Sequence, residues 1–219
     1  MPHRAARLVI ASVAFVSALI AMRVMVTGSL LFFFLLWNLF LALVPLALSR
    51  GLARLARPGW LALGVGGAWL LFFPNAPYLL TDLIHVHRGT EAPLWYDLVL
   101  LLAAAWSGVL IGTVTLADVH DAVTRWYGTT IGWGVALGAL VLGSFGIYLG
   151  RFLRWNSWDI LTEPRSLLAD VVGPLLDPLG HPQAVGTTVL FAVLLTLCYL
   201  ALRPLVVLSA PLAAETSNE

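Results

Sequence analysis

Asp82 and His85 are the two residues of this chain best suited to chemistry. They are a carboxylate and an imidazole three positions apart, at the tail of an apolar run that also carries Asn75, Tyr78 and Thr81. Such a pair can share general acid and base work on a bound substrate. An ionisable group beside hydrocarbon is costly unless it faces protein or water, which makes this cluster the first place to expect function. If the run from Phe72 to His85 is broadly helical, Asn75, Tyr78, Asp82 and His85 fall at i, i+3, i+7 and i+10 and line one face turned into a bundle. Pro74 and Pro77 lack amide protons, so carbonyls near residues 70 and 73 lose their usual partners and the helix should kink or break. Irregular backbone at membrane depth belongs where it is buried in protein or lines a wet cavity, so the prolines predict a pocket. Asn75 and Tyr78 have a plainer alternative role, which is to satisfy those freed carbonyls.

Two further segments bring complementary groups. Residues 148–159 supply Arg151, Arg154, Asn156 and Asp159, and Trp95-Tyr96-Asp97 opens another apolar run. Arg151 and Arg154 suit the planar, multidentate recognition of phosphate or carboxylate, and Asp97 or Asp159 could orient the imidazole. Asn75, Tyr78, Thr81 and Asn156 complete the candidate substrate-binding set. Trp95 and Trp158 read more simply as members of an interfacial aromatic belt. A metal site built from Asp82, His85, His87 and Asp97 is a weaker alternative, because two ligands do not make a site and His85 and His87 on one helix point apart. No metal and no cofactor is therefore expected. Walker, HExxH and GxGxxG patterns are absent, and Ser144 lacks the spacing of a nucleophile elbow.

The elements that must position these groups follow from composition. With 60% hydrophobic and 11% charged residues, the chain is far from a soluble domain and reads as an all-α, polytopic integral membrane bundle. Apolar runs predict six spans near residues 8–26, 29–48, 60–80, 94–117, 129–150 and 186–208, within one transmembrane domain over 1–219. The first run, with Arg4 and Arg7 ahead of it, also fits a signal peptide, but an uncleaved anchor with Arg23 snorkelling to the interface is the better reading. All 12 basic residues are arginine. Arg4, Arg7, Arg50, Arg54, Arg57 and Arg125 fall on one predicted side, which the positive-inside rule makes cytoplasmic, with both termini there in a plasma or inner membrane. Arg88, Arg151, Arg154 and Arg165 weaken that bias, and the candidate site then opens on the outer face.

The connection over 151–185 holds apolar pairs at 167–168, 171–172 and 175–176, which predict a helix near 163–178, N-capped by Thr162 and interrupted at Gly173-Pro174, lying in the outer interface or, alternatively, packing its stripe on the bundle. Gly134 and Gly138, then Gly146 and Gly150, predict close helix approach. Cys198 reads as packing, His120 and Asp121 as a solvated connection, and Glu215 to Glu219 as a disordered tail.

The runs FFPNAPYLLTDLIHV, WYDL and GRFLRWNSWD resemble the signature segments of the bacterial and archaeal membrane family catalogued as domain of unknown function 1361. The resemblance runs from the second span to the last. It implies a multi-spanning architecture and no established activity. Its motif positions here are Pro74, Asn75, Pro77, Tyr78, Thr81, Asp82, His85, Asp97, Gly150, Arg151, Arg154, Asn156, Ser157 and Asp159.

Three functions compete. In the first, membrane lipids are the partners and a lipid or lipid-linked anionic substrate is bound or processed at the outer face, with no nucleic acid involved. In the second, a structural or assembly subunit uses the polar network only to fix helix packing. The third is a small-solute or proton-coupled transporter, which the confinement of polar residues to one end disfavours.

Overall fold

A computed structural model describes residues 3–87 and 91–207. It is helical, with no strand among the described residues, and six helical stretches are long and apolar enough to cross a membrane. These are α1 (His3–Thr27), α2 (Phe34–Ala53), the broken third span, α5 (Leu94–Tyr127), α6 (Thr129–Phe152) and α9 (Pro182–Val207). The third span is divided into α3 (Trp60–Phe72), α4 (Asn75–Tyr78) and a 3-10 turn over Leu79–His85. Between α6 and α9 lie the one-turn α7 (Asp159–Thr162) and α8 (Pro164–Leu176).

α5 is the most buried of the spans and sits at the centre, in contact with α1, α2, α4, the 3-10 turn, α6 and α9. Small residues, among them Ala104, Ala105, Ser107, Gly108 and Gly112, let its neighbours come close. The outer helices keep large apolar side chains such as Phe40, Leu142 and Leu197 exposed, as a bilayer allows. Trp69 Nε1 donates to Thr115 Oγ1 at 2.7 Å, and that hydroxyl donates to the Pro45 carbonyl at 2.9 Å, tying α3, α5 and α2 together inside the core.

The order of spans follows the hydropathy, but several details differ from expectation. The fourth span continues to Tyr127, beyond the expected end at 117, because Val119, Ala122 and Val123 extend its buried stripe. His120 is consequently buried, not solvated. Its Nδ1 shares a 2.8 Å hydrogen bond with the Tyr199 hydroxyl, and its ring packs edge-on to Trp133. Asp121 pairs with Arg203 at 3.0 Å. Arg23 does not snorkel, since Asp97 holds it in the interior. α8 runs unbroken through Gly173 and Pro174, and its N-cap is Glu163; the Thr162 hydroxyl turns instead to Asp159. Gly134 and Gly138 face open space, so only the second glycine pair mediates close approach. α8 leaves Leu168, Leu175 and Leu176 exposed. Arg88, the last residue of the sixth apolar run at 208 and the tail Glu215 to Glu219 lie outside the described residues.

Candidate functional site

The site begins where the third span breaks. α3 ends as the Phe73 amide bonds the Trp69 carbonyl at 2.7 Å; the next backbone bonds are Ala76 to Phe73 at 3.2 Å and Tyr78 to Pro74 at 2.9 Å. This tighter pattern strands the carbonyls of Leu71 and Phe72, and side chains answer them. Ser157 Oγ donates to the Leu71 carbonyl at 3.0 Å, and Asn75 Nδ2 donates to both the Phe72 carbonyl and Ser157 Oγ at 2.9 Å. Asn75 thus has the role of satisfying freed backbone, while Thr81 donates to the Tyr78 carbonyl at 2.7 Å and is equally local.

Glycines admit the broken stretch between α5 and α6. A Cβ on Gly108 would strike the Ala76 carbonyl oxygen, one on Gly143 would lie 2.7 Å from a Phe73 ring carbon, and one on Gly146 would lie 2.5 Å from Pro74 Cγ. With the backbone so seated, the 3-10 turn stacks Asp82 and His85 on one face, since residues three apart eclipse in that geometry.

Asp82 is fully buried and receives two donors: Asn38 Nδ2 of α2 on Oδ2 at 2.9 Å and an Arg151 NH group of α6 on Oδ1 at 3.3 Å. The same Arg151 nitrogen donates to the Tyr78 hydroxyl at 3.3 Å, and its second terminal nitrogen stands 3.4 Å from His85 Nε2 and 3.5 Å from Nδ1. Phe34 packs edge-on to the imidazole, with ring centroids 5.4 Å apart. One guanidinium therefore joins Tyr78, Asp82 and His85 as the one-face pattern anticipates. Asn38 is the member that the residue pattern at 72–85 could not supply. Its signal is an isolated amide in the otherwise apolar second span.

Beside this network lies a cleft of about 1400 Å³ between α2, α3 and α6, roofed by the segment from Arg154 to Val171. Its polar lining is Asn38, Asn75, Tyr78, His85, Arg151, Arg154, Asn156 and Ser157. Asp82 sits behind these groups and does not line the cleft, so a ligand would meet His85 and Arg151 directly and Asp82 only through them. Arg154 differs from Arg151: it is exposed and forms no hydrogen bond or ion pair among the described residues. Its backbone is left-handed, with φ 63°, and turns the chain so that the Trp155 amide reaches the Leu149 carbonyl at 3.1 Å. Trp155 Nε1 then donates to Asp170 at 2.8 Å, fastening α8 across the cleft.

Two expected members stand apart. Asp97 is bonded by Arg23 Nε at 2.7 Å and by an Arg23 terminal nitrogen at 3.3 Å, and is spent on joining α1 to α5. Asp159 accepts from the Asn156 amide at 2.7 Å and from the Asn156 and Thr162 side chains at 3.1 and 3.3 Å, closing the turn that leads into α7. Chiefly that Asn156 amide proton holds the Asp159 carboxyl below the ordinary carboxylate range. Among the described residues, no three of His, Cys, Asp and Glu stand close enough together to hold a metal ion.

A family model described as "Protein of unknown function (DUF1361)" matches residues 37–198. No curated protein and no solved structure matches the chain.

Proposed function

Because the chain belongs to the DUF1361 family, whose description carries no activity, we propose from the site itself that this membrane protein binds a lipid or lipid-linked ligand by its anionic head. The supporting observation is the cleft's polarity. It carries two arginines, an imidazole and three amides, and one of those arginines has no partner among the described residues. A guanidinium held beside hydrocarbon without a counter-charge suits phosphate or carboxylate. The cleft also exceeds the roughly 300–1,000 Å³ common for small-molecule sites, which fits a ligand with a long apolar part. His85 is the group placed for proton transfer to such a ligand, with Arg151 orienting it. Asp82 acts as the buried counter-charge of Arg151.

A purely structural role draws support from Asn75 and Ser157, which close the backbone break without any ligand. It leaves Arg154 without a purpose. Native mass spectrometry of gently purified wild type beside Arg154→Gly separates the two readings. Glycine accepts the left-handed backbone at that position, so fold stability should hold or rise while the charge is lost. A co-purifying anionic lipid that is present in wild type and depleted in Arg154→Gly supports binding. Equal lipid content in both proteins defeats it.

A further inference from the structure

The apolar arm of the cleft has a floor as well as walls. α3 packs on α2, and α6 packs on α5 and α9, leaving a trough between α3 and α6. Leu63, Leu71, Leu142 and Phe145 wall it, and Gly64 and Gly67 on α3 form part of its surface. A Cβ built on either glycine would meet nothing within 4 Å. These glycines therefore do not serve helix packing, unlike Gly108, Gly143 and Gly146, and in a helix interior each is less favourable than alanine. The trough is continuous with the end that holds Arg154, so an occupant whose head meets that guanidinium has its apolar part directed along α3.

Resting on the binding reading above, we propose that Gly64 and Gly67 form the seat of the ligand's hydrocarbon chain and thereby select for long-chain anionic amphiphiles over short-chain or soluble ones. Side chains at these two positions would project into the trough and shorten it. Gly66, on the same helix, also faces open space but does not line the cleft, and so provides a matched control.

The test measures binding of two defined probes, dioleoyl and dihexanoyl phosphatidic acid, to the full-length protein in detergent by native mass spectrometry. Variants are Gly64→Leu, Gly67→Leu, Gly66→Leu and Arg154→Gly. A Cβ at any of the three positions meets nothing within 4 Å, and leucine improves helix propensity over glycine, so the folds should persist; thermal melts verify this. The expected pattern is a loss of about tenfold or more in dioleoyl affinity for Gly64→Leu and Gly67→Leu. Dihexanoyl binding should be unchanged in both, Gly66→Leu should behave as wild type, and Arg154→Gly should weaken both probes. Arg154-dependent binding that ignores leucine at 64 and 67 overturns the tail seat and leaves the head site standing. Equal weakening by Gly66→Leu also overturns it, since the effect would then belong to the helix surface in general. If wild type binds neither probe, or Arg154→Gly binds both undiminished, the head-group reading falls and the tail seat falls with it.

Discussion

Arg23 Nε lies 2.7 Å from Asp97 Oδ1, with both side chains shut away from solvent. Residues 74 positions apart are thus joined by a charge pair, and Phe32 lies beneath the guanidinium at 4.8 Å while Glu91 reaches it at 3.4 Å. Removing Asp97 leaves the buried Arg23 guanidinium with only the half-exposed Glu91 as counter-charge. Asp97→Ala should therefore lower stability by about 3–5 kcal/mol. The double variant Arg23→Met/Asp97→Leu should recover most of that loss. Thermal unfolding in detergent reads both, and a double variant no better than the single one would show that shape, not charge, sets the cost.

The Asn38, Asp82 and Arg151 contacts form a linked set, so their losses should not add. Asn38→Leu leaves one oxygen of a buried carboxylate without its donor, at a cost of about 1–3 kcal/mol. Asp82→Asn removes the counter-charge of Arg151 and should cost a similar amount. If the amide serves the carboxylate, the double variant will be less destabilised than the sum of the two. Strict additivity in a thermal double-mutant cycle would mean that Asn38 and Asp82 act separately.

Hydropathy made the spans legible because each long apolar run must cross or line the bilayer, and one-face spacing made Tyr78, Asp82 and His85 legible as companions. Partnership across helices was not legible. Asp97 reads as a site residue until α1 is packed against α5, where Arg23 takes it, and Asn38 gains meaning only when α2 is laid beside the 3-10 turn. His120 shows the same limit: a His-Asp pair after an apolar run suggests water, yet the buried stripe continues past it and Tyr199, far along the chain, satisfies the imidazole.

The turn that carries Asn156 into the cleft should be acid-sensitive. The folded-state pKa of Asp159 lies below its unfolded value, so its contribution is fully present above the ordinary carboxylate pKa of about 3.9 and is lost as pH falls through the folded value. Protection of the Asn156 amide from hydrogen exchange, compared between wild type and Asp159→Asn at matched pH, measures this. The difference should be large near neutrality and vanish in acid. A difference that persists unchanged at low pH would assign the protection to something other than the carboxylate.

Glycine spacing alone does not tell packing from open surface, and four glycines of α6, Gly134, Gly138, Gly143 and Gly146, provide a stability test of the difference. Gly134 and Gly138 meet nothing within 4 Å, so alanine there should be neutral or stabilising by up to about 1 kcal/mol through helix propensity. At Gly146 a Cβ falls 2.5 Å from Pro74 Cγ and 2.8 Å from its Cβ, on a ring that cannot swing aside. Gly143→Ala meets the Phe73 ring, which is itself buried against Trp69 with centroids 5.0 Å apart. Each of these two substitutions should cost about 1–3 kcal/mol by overpacking. Gly146→Ala should also displace the broken stretch that carries Tyr78 and Asp82, reducing retention of any head-group ligand, whereas Gly134→Ala should not. Thermal unfolding and ligand retention measured on the same four variants give the comparison. Equal stability across all four would mean that α6 can retreat from Pro74, and that the break in the third span, not the clasp around it, sets where Tyr78 and Asp82 lie.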